Sequence, residues 1–527
     1  MTRFDTLTSA LLAHRESSAR IGVISEHGEM DAWSYDELRE RACGFLAYLQ
    51  SSGVERGDEL VIAYRSMASI MTAYWAALFG GLVPVPLSAP NSDRDLEKLY
   101  NIWNVLPHPW LAIDDEAVLE RLDAISSEGR FGVIDGKKRV FVTEDCVSHR
   151  GEVEADVAEV GADDIALVQF SSGSTGAPKS VTLTHRNLLS NAYDIIDASN
   201  ITHEDVFLSW KPISHDFGMI AFHITPLVAG ASQYRMATKR FIWNATDWLT
   251  YASSLRVTIL GTSNFGVQHL LSRVDQERAR REEVDLSSVR IVWNAAEMIN
   301  AELCRDFVRI LAPFGLREDV LRPGYGLAEN TLVVSVTREG QTLETVVVDR
   351  ARLGVGEAVE ILARDALIEQ GSVELVLCGE PCAHSEVCVV DDVGVAVPDG
   401  VVGRLHVRGD CVTPGYYQNS AASEEILLSN GWMDTQDLGF LYQGQIVVVG
   451  RRKDIIIIGG VNYHPGDIEN VILREVGRSK LNQYVACAVP HPILQSDELV
   501  VFVYHRGRPE RFVSIAQQVR HLVMTDL

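Results

Sequence analysis

Cysteine is scarce in this sequence, and the eight cysteines among 527 residues include no C-x-x-C pair. A chain of this size does not need a disulfide framework, so we expect reduced thiols and a cytoplasmic location. Long apolar runs are also lacking, since the most apolar stretch, 73–90, contains two glycines and three prolines. That composition favours a buried helix and turn over a membrane span. The N-terminus carries charges throughout and has no apolar signal-peptide core.

Positive charge is in deficit as well. Lysine and arginine total 47 against 72 aspartates and glutamates, which gives a formal net charge of −25 at pH 7. An acidic surface disfavours nucleic acid and anionic membranes as partners. It remains compatible with a small anionic ligand held in a locally basic pocket.

Short apolar strands alternate with amphipathic helices along most of the chain, a pattern typical of an α/β protein with largely parallel sheets. Residues 59–64 predict one such strand, and residues 165–170 predict another that runs into a polar loop. After residue 450 the pattern changes to short strands and helices, the last helix over 512–524. Because 527 residues exceed one ordinary core, we predict a large N-terminal domain of packed mixed sheets and helices over 1–450. A small α+β domain is predicted over 451–527.

The strongest chemical signal is the polar loop 171–179, with the sequence SSGSTGAPK. Glycines let backbone N–H groups approach an anion closely, and consecutive amides form an anion-binding nest. Hydroxyl groups and a lysine charge add donors suited to phosphate. The candidate phosphate-binding residues are Ser171, Ser172, Gly173, Ser174, Thr175, Gly176 and Lys179. The spacing of a Walker loop is absent. The residues of this loop favour phosphate binding, with a flexible Ser/Gly surface loop as the alternative.

Five further motifs follow this loop in order, and together the six resemble the acyl-adenylate-forming superfamily. They are SHDFG at 214–218, WNAAE at 293–297, YGLAENT at 325–331, DTQDLGF at 434–440 and GRRKDIIIIGG at 450–460. The finer resemblance is to fatty acyl-AMP ligases, in particular the acyl-ligase loading domains of polyketide and nonribosomal peptide synthetases. A long segment at 338–372 matches the position of the insertion in these ligases. That insertion is held to keep the small domain from the pose that accepts coenzyme A.

This resemblance implies a reaction and its partners. A carboxylic acid, and a fatty acid in the first instance, would be activated by ATP to acyl-AMP with release of pyrophosphate. The acyl group would then pass to the phosphopantetheine of an acyl carrier protein, which lies either beyond Leu527 or in another chain. The implied cofactors are ATP and Mg²⁺. Neither a nucleic-acid partner nor a membrane span is expected.

The resemblance also assigns roles to charged residues by position. Lys179 would hold the triphosphate, and Glu329 would hold Mg²⁺, a hard cation that prefers carboxylate oxygen. Asp437 would accept hydrogen bonds from the ribose hydroxyls. Arg451 would meet the ribose or a phosphate. A structural carboxylate, a turn-forming aspartate or an ordinary salt-bridge partner is the alternative for each of these charges.

Adenine would stack on Tyr325 beside Gly326, with Asn294, Ala295 and Ala296 along its edge, as the resemblance implies. Next to the reacting carboxylate, His215 would orient the acid or stabilise charge, although a packed histidine is equally compatible. Lys453 would lie at the hinge of the small domain. The implied acyl pocket draws on Asp216, Phe217, Met219, Phe222, Thr225, Asn264, Phe265 and Gly266.

The sequence departs from the family pattern at one point. The family carries a lysine near its C-terminus in a segment like P-R-T-x-x-G-K, and none occurs up to Leu527. We therefore expect an incomplete small domain. Three alternatives stay open: an acyl-CoA synthetase, an amino-acid adenylation domain, because such domains bind the substrate amine with an aspartate near Asp216, and a substrate-binding module without catalysis.

Overall fold

The computed structural model describes the chain except for residues 1–2, 127–130, 135–136, 144–145, 147–153, 172–178, 364–370, 453–455, 459–460, 464, 466–467, 470–471, 473–475, 477–481, 491–496, 506 and 527.

The helices of the described residues begin mostly at side-chain caps, as at Ser34 and Ser92, whose hydroxyls accept from the backbone N–H three residues on. In chain order they are α1 (Leu7–Ala13), α2 (Tyr35–Ser51), α3 (Met67–Gly80), α4 (Asp93–Val105), α5 (Glu116–Ile125), α6 (His185–Ala198), a π-helix (Phe217–Ile224), α7 (Thr225–Ala229), α8 (Thr238–Trp243), α9 (Thr246–Ser254), α10 (Asn264–Arg273), α11 (Gln276–Arg281), α12 (Ala301–Leu311), α13 (Ser420–Ile426) and α14 (Pro509–Asp526). No helix in the described ranges combines the length and apolarity needed to cross a membrane.

The strands of the described residues are β1 (Arg20–Ile24), β2 (Met30–Ser34), β3 (Glu59–Ile62), β4 (Val83–Pro86), β5 (Pro109–Ile113), β6 (Val133–Ile134), β7 (Lys137–Lys138), β8 (Val140–Val142), β9 (Ile165–Ser171), β10 (Lys179–Thr184), β11 (Val206–Ser209), β12 (Ser232–Met236), β13 (Ile259–Thr262), β14 (Ile291–Asn294), β15 (Leu321–Gly326), β16 (Val333–Val336), β17 (Thr345–Asp349), β18 (Ile361–Leu362), β19 (Ser372–Val376), β20 (Glu386–Val390), β21 (Gly403–Arg408), β22 (Met433–Tyr442), β23 (Gln445–Arg451), β24 (Ile456–Ile458), β25 (Val461–Tyr463), β26 (Asn482–Pro490) and β27 (Asp497–His505).

Two largely parallel sheets build the large domain. The larger has the order β16-β15-β14-β13-β11-β12-β1-β2, and its strands from β15 to β1 run parallel between antiparallel edges. The smaller, β4-β3-β5-β8, is parallel throughout. Ligands of such sheets bind beyond the carboxyl ends of the strands. The ends of β14 and β15 therefore mark the edge at which a site is expected.

A hairpin of β9 and β10 encloses the predicted phosphate loop. Ser171 pairs with Lys179 in the antiparallel register, so the two ends of segment 172–178 are held together. Strand β10 runs directly into α6, where Thr184 forms a capping box with Asn187. No strand was predicted between the loop and the helix, so β10 is an addition that the structure makes.

The outer edge of β10 is paired to a segment far along the chain. The N–H of Thr182 donates to the carbonyl of Gly415, and the N–H of Tyr417 donates to the carbonyl of Ser180. Tyr416 is therefore fixed beside the start of β10 by main-chain bonds on both sides.

Part of the predicted insertion, 338–372, forms a small sheet of its own. Strands β17 and β18 lie within it, and β17 also pairs with β19. This sheet packs on β22 and β23 through a shared apolar cluster that includes Val346, Val348, Leu353, Leu438, Phe440, Val447 and Val449. Its 3₁₀ turn Arg350–Arg352 lies against β25.

Beyond Arg451 the described elements share a separate apolar cluster. The hairpins β24–β25 and β26–β27 and helix α14 contribute to it, and its buried members are Ile456, Ile468, Ile472, Tyr484, Ala486 and Val519. The predicted architecture, a mixed α/β fold with a large sheet-and-helix domain and a small C-terminal domain, is confirmed.

Candidate active site

A cavity of about 330 Å³ lies at the carboxyl ends of β14 and β15, facing β10, β22 and β23. The predicted site residues that line it are Lys179, His215, Asp216, Phe217, Ala295, Ala296, Tyr325, Gly326, Glu329 and Arg451. They come from five separate segments of the chain. The fold therefore brings most of the predicted motifs to one place.

One end of the cavity, here called the phosphate end, consists of Lys179, Tyr416 and Glu329. Lys179 Nζ donates to Tyr416 Oη at 3.1 Å, and Tyr416 Oη donates to Glu329 Oε1 at 2.7 Å. Glu329 lies in the 3₁₀ turn Ala328–Asn330, and its carbonyl accepts from the N–H of Thr413. Burial and the adjacent carboxylate both raise the pKa of Tyr416, so the phenol keeps its proton at neutral pH.

The second polar end, here called the nucleoside end, consists of Tyr325, Asp437 and Arg451. Asp437 accepts from Tyr325 Oη at 2.7 Å and from Arg451 Nε at 3.1 Å. The two strands pair Asp437 with Arg451 directly, and the N–H of Asp437 donates to Thr435 Oγ1. Asp437 lies in the wall behind Tyr325 and Arg451 rather than on the cavity surface. Its burial raises the pKa of the carboxyl, and the charge of Arg451 opposes that rise.

His215 and Asp216 form an ion pair in the lining of the cavity. His215 Nδ1 lies 2.6 Å from Asp216 Oδ1. The Asp216 charge raises the pKa of His215 against the effect of burial. Burial works against ionisation of Asp216, but His215 and the N–H of Phe217 outweigh it and hold the pKa of this carboxyl below its usual range. Both shifts favour a charged imidazolium–carboxylate pair.

Part of the remaining lining is apolar, and the polar residues Arg322, Asp434, Thr435 and Gln436 also line the cavity. The apolar part, here called the apolar wall, comes from α6, the π-helix, β14, β16 and the turn before β16. Its residues are Ile195, Phe217, Ala221, Trp293, Leu332, Val333 and Val336. An apolar chain that enters the cavity beside His215 would bury its surface here, at about 25 cal/mol per Å². The cavity lining therefore combines charged groups with a hydrocarbon-like surface.

Several predicted pocket residues lie outside this lining. Trp293 in β14 and Ala295 directly after this strand line the cavity, so the alternation of the backbone turns Asn294 away, and its Nδ2 donates to Cys304 Sγ. In the π-helix, Phe217 and Ala221 face the cavity. Fully buried behind them are Met219, Phe222 and Thr225.

The predicted pocket residues at the start of α10 are also elsewhere. Asn264 Nδ2 donates to the carbonyl of Met298, and Phe265 is 48% exposed and stacks on His269. A Cβ at Gly266 would lie 2.5 Å from Thr262 Oγ1, so this glycine permits close packing in the core. The structure does not bring this segment to the cavity lining.

Some predicted site residues lie outside the described part of the chain. They are Ser172, Gly173, Ser174, Thr175, Gly176 and Lys453. Ser171 is described only as the last residue of β9.

Sequence reasoning missed Tyr416, which joins the two charges of the phosphate end. It is 237 residues from Lys179 along the chain, so no spacing rule connects the two. It also missed Lys211, whose pKa burial lowers to about 8 and whose Nζ lies 5.5 Å from the ring centroid of Phe217. Only the folded chain places these side chains beside the site.

The phosphate end fits a metal–nucleotide complex. Within the described residues, Glu329 Oε1 accepts from Tyr416 while Oε2 has no hydrogen-bond partner. A carboxylate oxygen of this kind suits Mg²⁺, which usually takes one or two carboxylates and completes its shell with phosphates and water. Lys179 has further N–H donors for a phosphate group.

Comparisons with known proteins agree with this geometry. A medium-chain-fatty-acid–[acyl-carrier-protein] ligase of Moorena producens, JamA, is 29% identical over 514 residues, which cover 94% of this chain and 85% of that protein. A solved structure from a study of fatty acyl-adenylate ligases of E. coli and L. pneumophila matches with a TM-score of 0.87 and 26% identity, over 99% of this chain and 92% of that one. The adenylation domain of a keto acid-selecting NRPS module, bound to keto acyl adenylate, matches with a TM-score of 0.80 and 26% identity, over 100% and 92%. The model of a family described as AMP-binding enzyme matches residues 13–417, and the chain belongs to that family.

Proposed function

We propose that this protein uses ATP to convert a carboxylic acid with an apolar chain into acyl-AMP, and that it then transfers the acyl group to the phosphopantetheine thiol of an acyl carrier protein. One observation carries the proposal. A single cavity is lined by the lysine and carboxylate of the phosphate end, by the tyrosine and arginine of the nucleoside end with their aspartate directly behind them, and by the apolar wall.

The proposed reaction has two balanced steps. A carboxylate oxygen of the acid attacks the α-phosphorus of ATP, and the bond from that phosphorus to the bridging oxygen of pyrophosphate breaks. Pyrophosphate leaves with the electron pair, and Glu329 would hold the Mg²⁺ that would offset part of the negative charge on the phosphates. In the second step the sulfur of the carrier thiol attacks the acyl carbon, AMP leaves, and the thiol proton passes to solvent.

The residues of the cavity divide this work by position. Lys179 stabilises negative charge on the phosphates, and Glu329 supplies the metal-binding oxygen. Asp437 accepts hydrogen bonds from the ribose, and Tyr325 provides the ring face for adenine. We assign to His215, which lines the cavity and pairs with Asp216, the role of orienting the carboxylate of the acid.

The acid side of the cavity favours a fatty acid over an amino acid. Residues of the apolar wall offer no partner for a charged substituent. Asp216, the carboxylate that could bind an α-amine, is already paired with His215 at 2.6 Å. The fatty-acid substrate in the name of the Moorena producens relative agrees with this choice.

The carrier protein is proposed over coenzyme A because of the segment 338–372. Its 3₁₀ turn Arg350–Arg352 contacts β25, an element of the proposed mobile domain 451–527. Such a contact restrains rotation of that domain about a hinge at Lys453.

Acid-dependent ATP–pyrophosphate exchange with a panel of fatty acids, amino acids and keto acids tests the first step. We expect exchange with fatty acids and little with amino acids. No exchange with any acid would refute the adenylation and favour a non-catalytic binding module. Thioester formation on a phosphopantetheine-bearing carrier protein, compared with coenzyme A, tests the second step, and a preference for coenzyme A would refute the proposed acceptor.

A further inference from the structure

Tyr416 separates the two opposite charges of the phosphate end. Its hydroxyl accepts from Lys179 Nζ at 3.1 Å and donates to Glu329 Oε1 at 2.7 Å. Lys179 Nζ also lies 5.2 Å from the centroid of the Tyr416 ring. Among the described residues, Lys179 and Glu329 form no salt bridge with each other. In the part of the chain that the structure describes, the phenol is what joins them.

The position of Tyr416 is set by its backbone rather than by these two side chains. The N–H of Thr182 and the carbonyl of Ser180 bond to its neighbours, which attaches the segment to β10. Its own N–H donates to Ser423 Oγ at 2.8 Å, which ties it to α13. A side chain held in this way stays in place when Lys179 and Glu329 exchange partners. Preorganised groups of this kind cost no rearrangement when a ligand arrives.

We propose that Tyr416 is a positioning residue that holds Lys179 and Glu329 apart, so that both charges remain available to a metal–triphosphate complex. This inference rests on the proposed function. A direct lysine–glutamate pair would neutralise both groups, and the pair would have to break before Mg²⁺ or phosphate could bind. With the phenol between them, Lys179 keeps two N–H donors and Glu329 keeps Oε2. The same hydroxyl fixes the direction of both side chains.

The neighbouring residue offers a matched control. Tyr417 also donates its hydroxyl to a glutamate, at 2.7 Å to Glu59 Oε1. Glu59 is 2% exposed on β3, and neither residue lines the cavity. Tyr416→Phe and Tyr417→Phe therefore remove the same atom from the same kind of hydrogen bond, and only the first touches the phosphate end.

The kinetic test measures ATP–pyrophosphate exchange for the full chain and both variants while the Mg²⁺ concentration is varied. We expect Tyr416→Phe to lower kcat by about tenfold, the size of one lost hydrogen bond to charged groups. It should also raise the Mg²⁺ concentration for half-maximal rate, with KM for the acid unchanged. Tyr417→Phe should leave these constants unchanged and lower Tm. Equal kcat and equal Mg²⁺ dependence in wild type and Tyr416→Phe would overturn the inference. Absence of exchange in the wild type would instead overturn the proposed function.

A binding test uses no turnover. Calorimetric titration with α,β-methylene-ATP, with and without Mg²⁺, measures affinity for the nucleotide in each variant. Tyr416→Phe should weaken binding by about tenfold with Mg²⁺ and by less without it, because the loss acts through Glu329 as well as Lys179. Equal weakening with and without Mg²⁺, or a fall in Tm like that of Tyr417→Phe, would mean that Tyr416 has only a structural role.

Discussion

The phosphate end and the nucleoside end contain the same three kinds of group in different orders. At the nucleoside end the cation touches the carboxylate directly, with Arg451 Nε 3.1 Å from Asp437 Oδ1, and Tyr325 donates to the other oxygen. At the phosphate end Tyr416 stands between Lys179 and its carboxylate. Asp437 can still accept hydrogen bonds from neutral ribose hydroxyls while it is paired with Arg451. A carboxylate and a lysine that must receive a metal and a phosphate stay available to these ligands only if they do not pair with each other.

The largest effect is expected from a variant that removes the positive charge of the phosphate end. Lys179→Ala should lower the exchange rate by about 100-fold, since a charge that stabilises a reacting phosphate is lost. Lys239→Ala, which removes an exposed lysine paired with Glu26, is the control. An exchange rate within about twofold of wild type for Lys179→Ala would mean that this lysine does not contact the reacting groups.

A variant that removes the negative charge of the nucleoside end should weaken ATP binding and leave the turnover rate nearly unchanged. Asp437→Asn keeps an oxygen for Tyr325 but removes the charge, so KM for ATP should rise by about tenfold while kcat changes little. Asp163→Asn, at an exposed salt bridge with Arg186, is the control for loss of one carboxylate. A fall in kcat with unchanged KM would mean that Asp437 acts on the reacting atoms and not on nucleoside binding.

A change in the apolar wall should leave both polar ends intact. Ala221→Leu fills space in the lining, so KM for a medium-chain acid should rise by about fivefold while KM for ATP stays constant. Val336→Ala enlarges the same wall and should favour longer or branched acids. Tm measured for both variants separates this effect from loss of packing. Unchanged selectivity in both variants would mean that the acyl chain binds elsewhere.

The smallest expected effect is the pH dependence of nucleotide affinity. Burial raises the pKa of Asp437 in the folded protein, so protonation begins at a higher pH than for an exposed aspartate. Affinity for α,β-methylene-ATP is therefore complete above that pKa and is lost as the pH falls through it. We expect calorimetry to give about twofold weaker binding at pH 5.5 than at pH 7.5, and a smaller change in Asp437→Asn. Equal pH dependence in the two proteins would assign the titration to another group.

Much of the site was predictable because short motifs carry their own chemistry. Lys179 was selected from the residues of its loop, and Glu329, Tyr325 and His215 were selected from the family resemblance of their motifs. The structure places all four on one cavity. The strand–loop–helix alternation likewise predicted the parallel sheets whose ends hold these motifs. Strand β10 was not expected, because a six-residue strand beside a polar loop has little pattern of its own.

Pocket residues were predicted less well for a geometric reason. A motif selects a run of neighbours, whereas a strand or helix presents only some of them to one side. Asn294 and Met219 turn away from the cavity although each lies next to or near a residue that lines it. Asn264 begins α10, and its side chain is bonded to the carbonyl of Met298 instead of pointing to the cavity.

The sequence by itself determined which charged residues and loops are present. They are Lys179 at the end of a glycine-rich loop, Glu329 after the pair Tyr325–Gly326, and Asp437 and Arg451 in two later motifs. These are local properties, and their chemistry does not depend on the remainder of the chain. Only the tertiary structure decided that Tyr416 stands between Lys179 and Glu329, and that Tyr325 meets Asp437 across 112 residues. Such contacts arise from the pairing of distant strands, which no local pattern encodes.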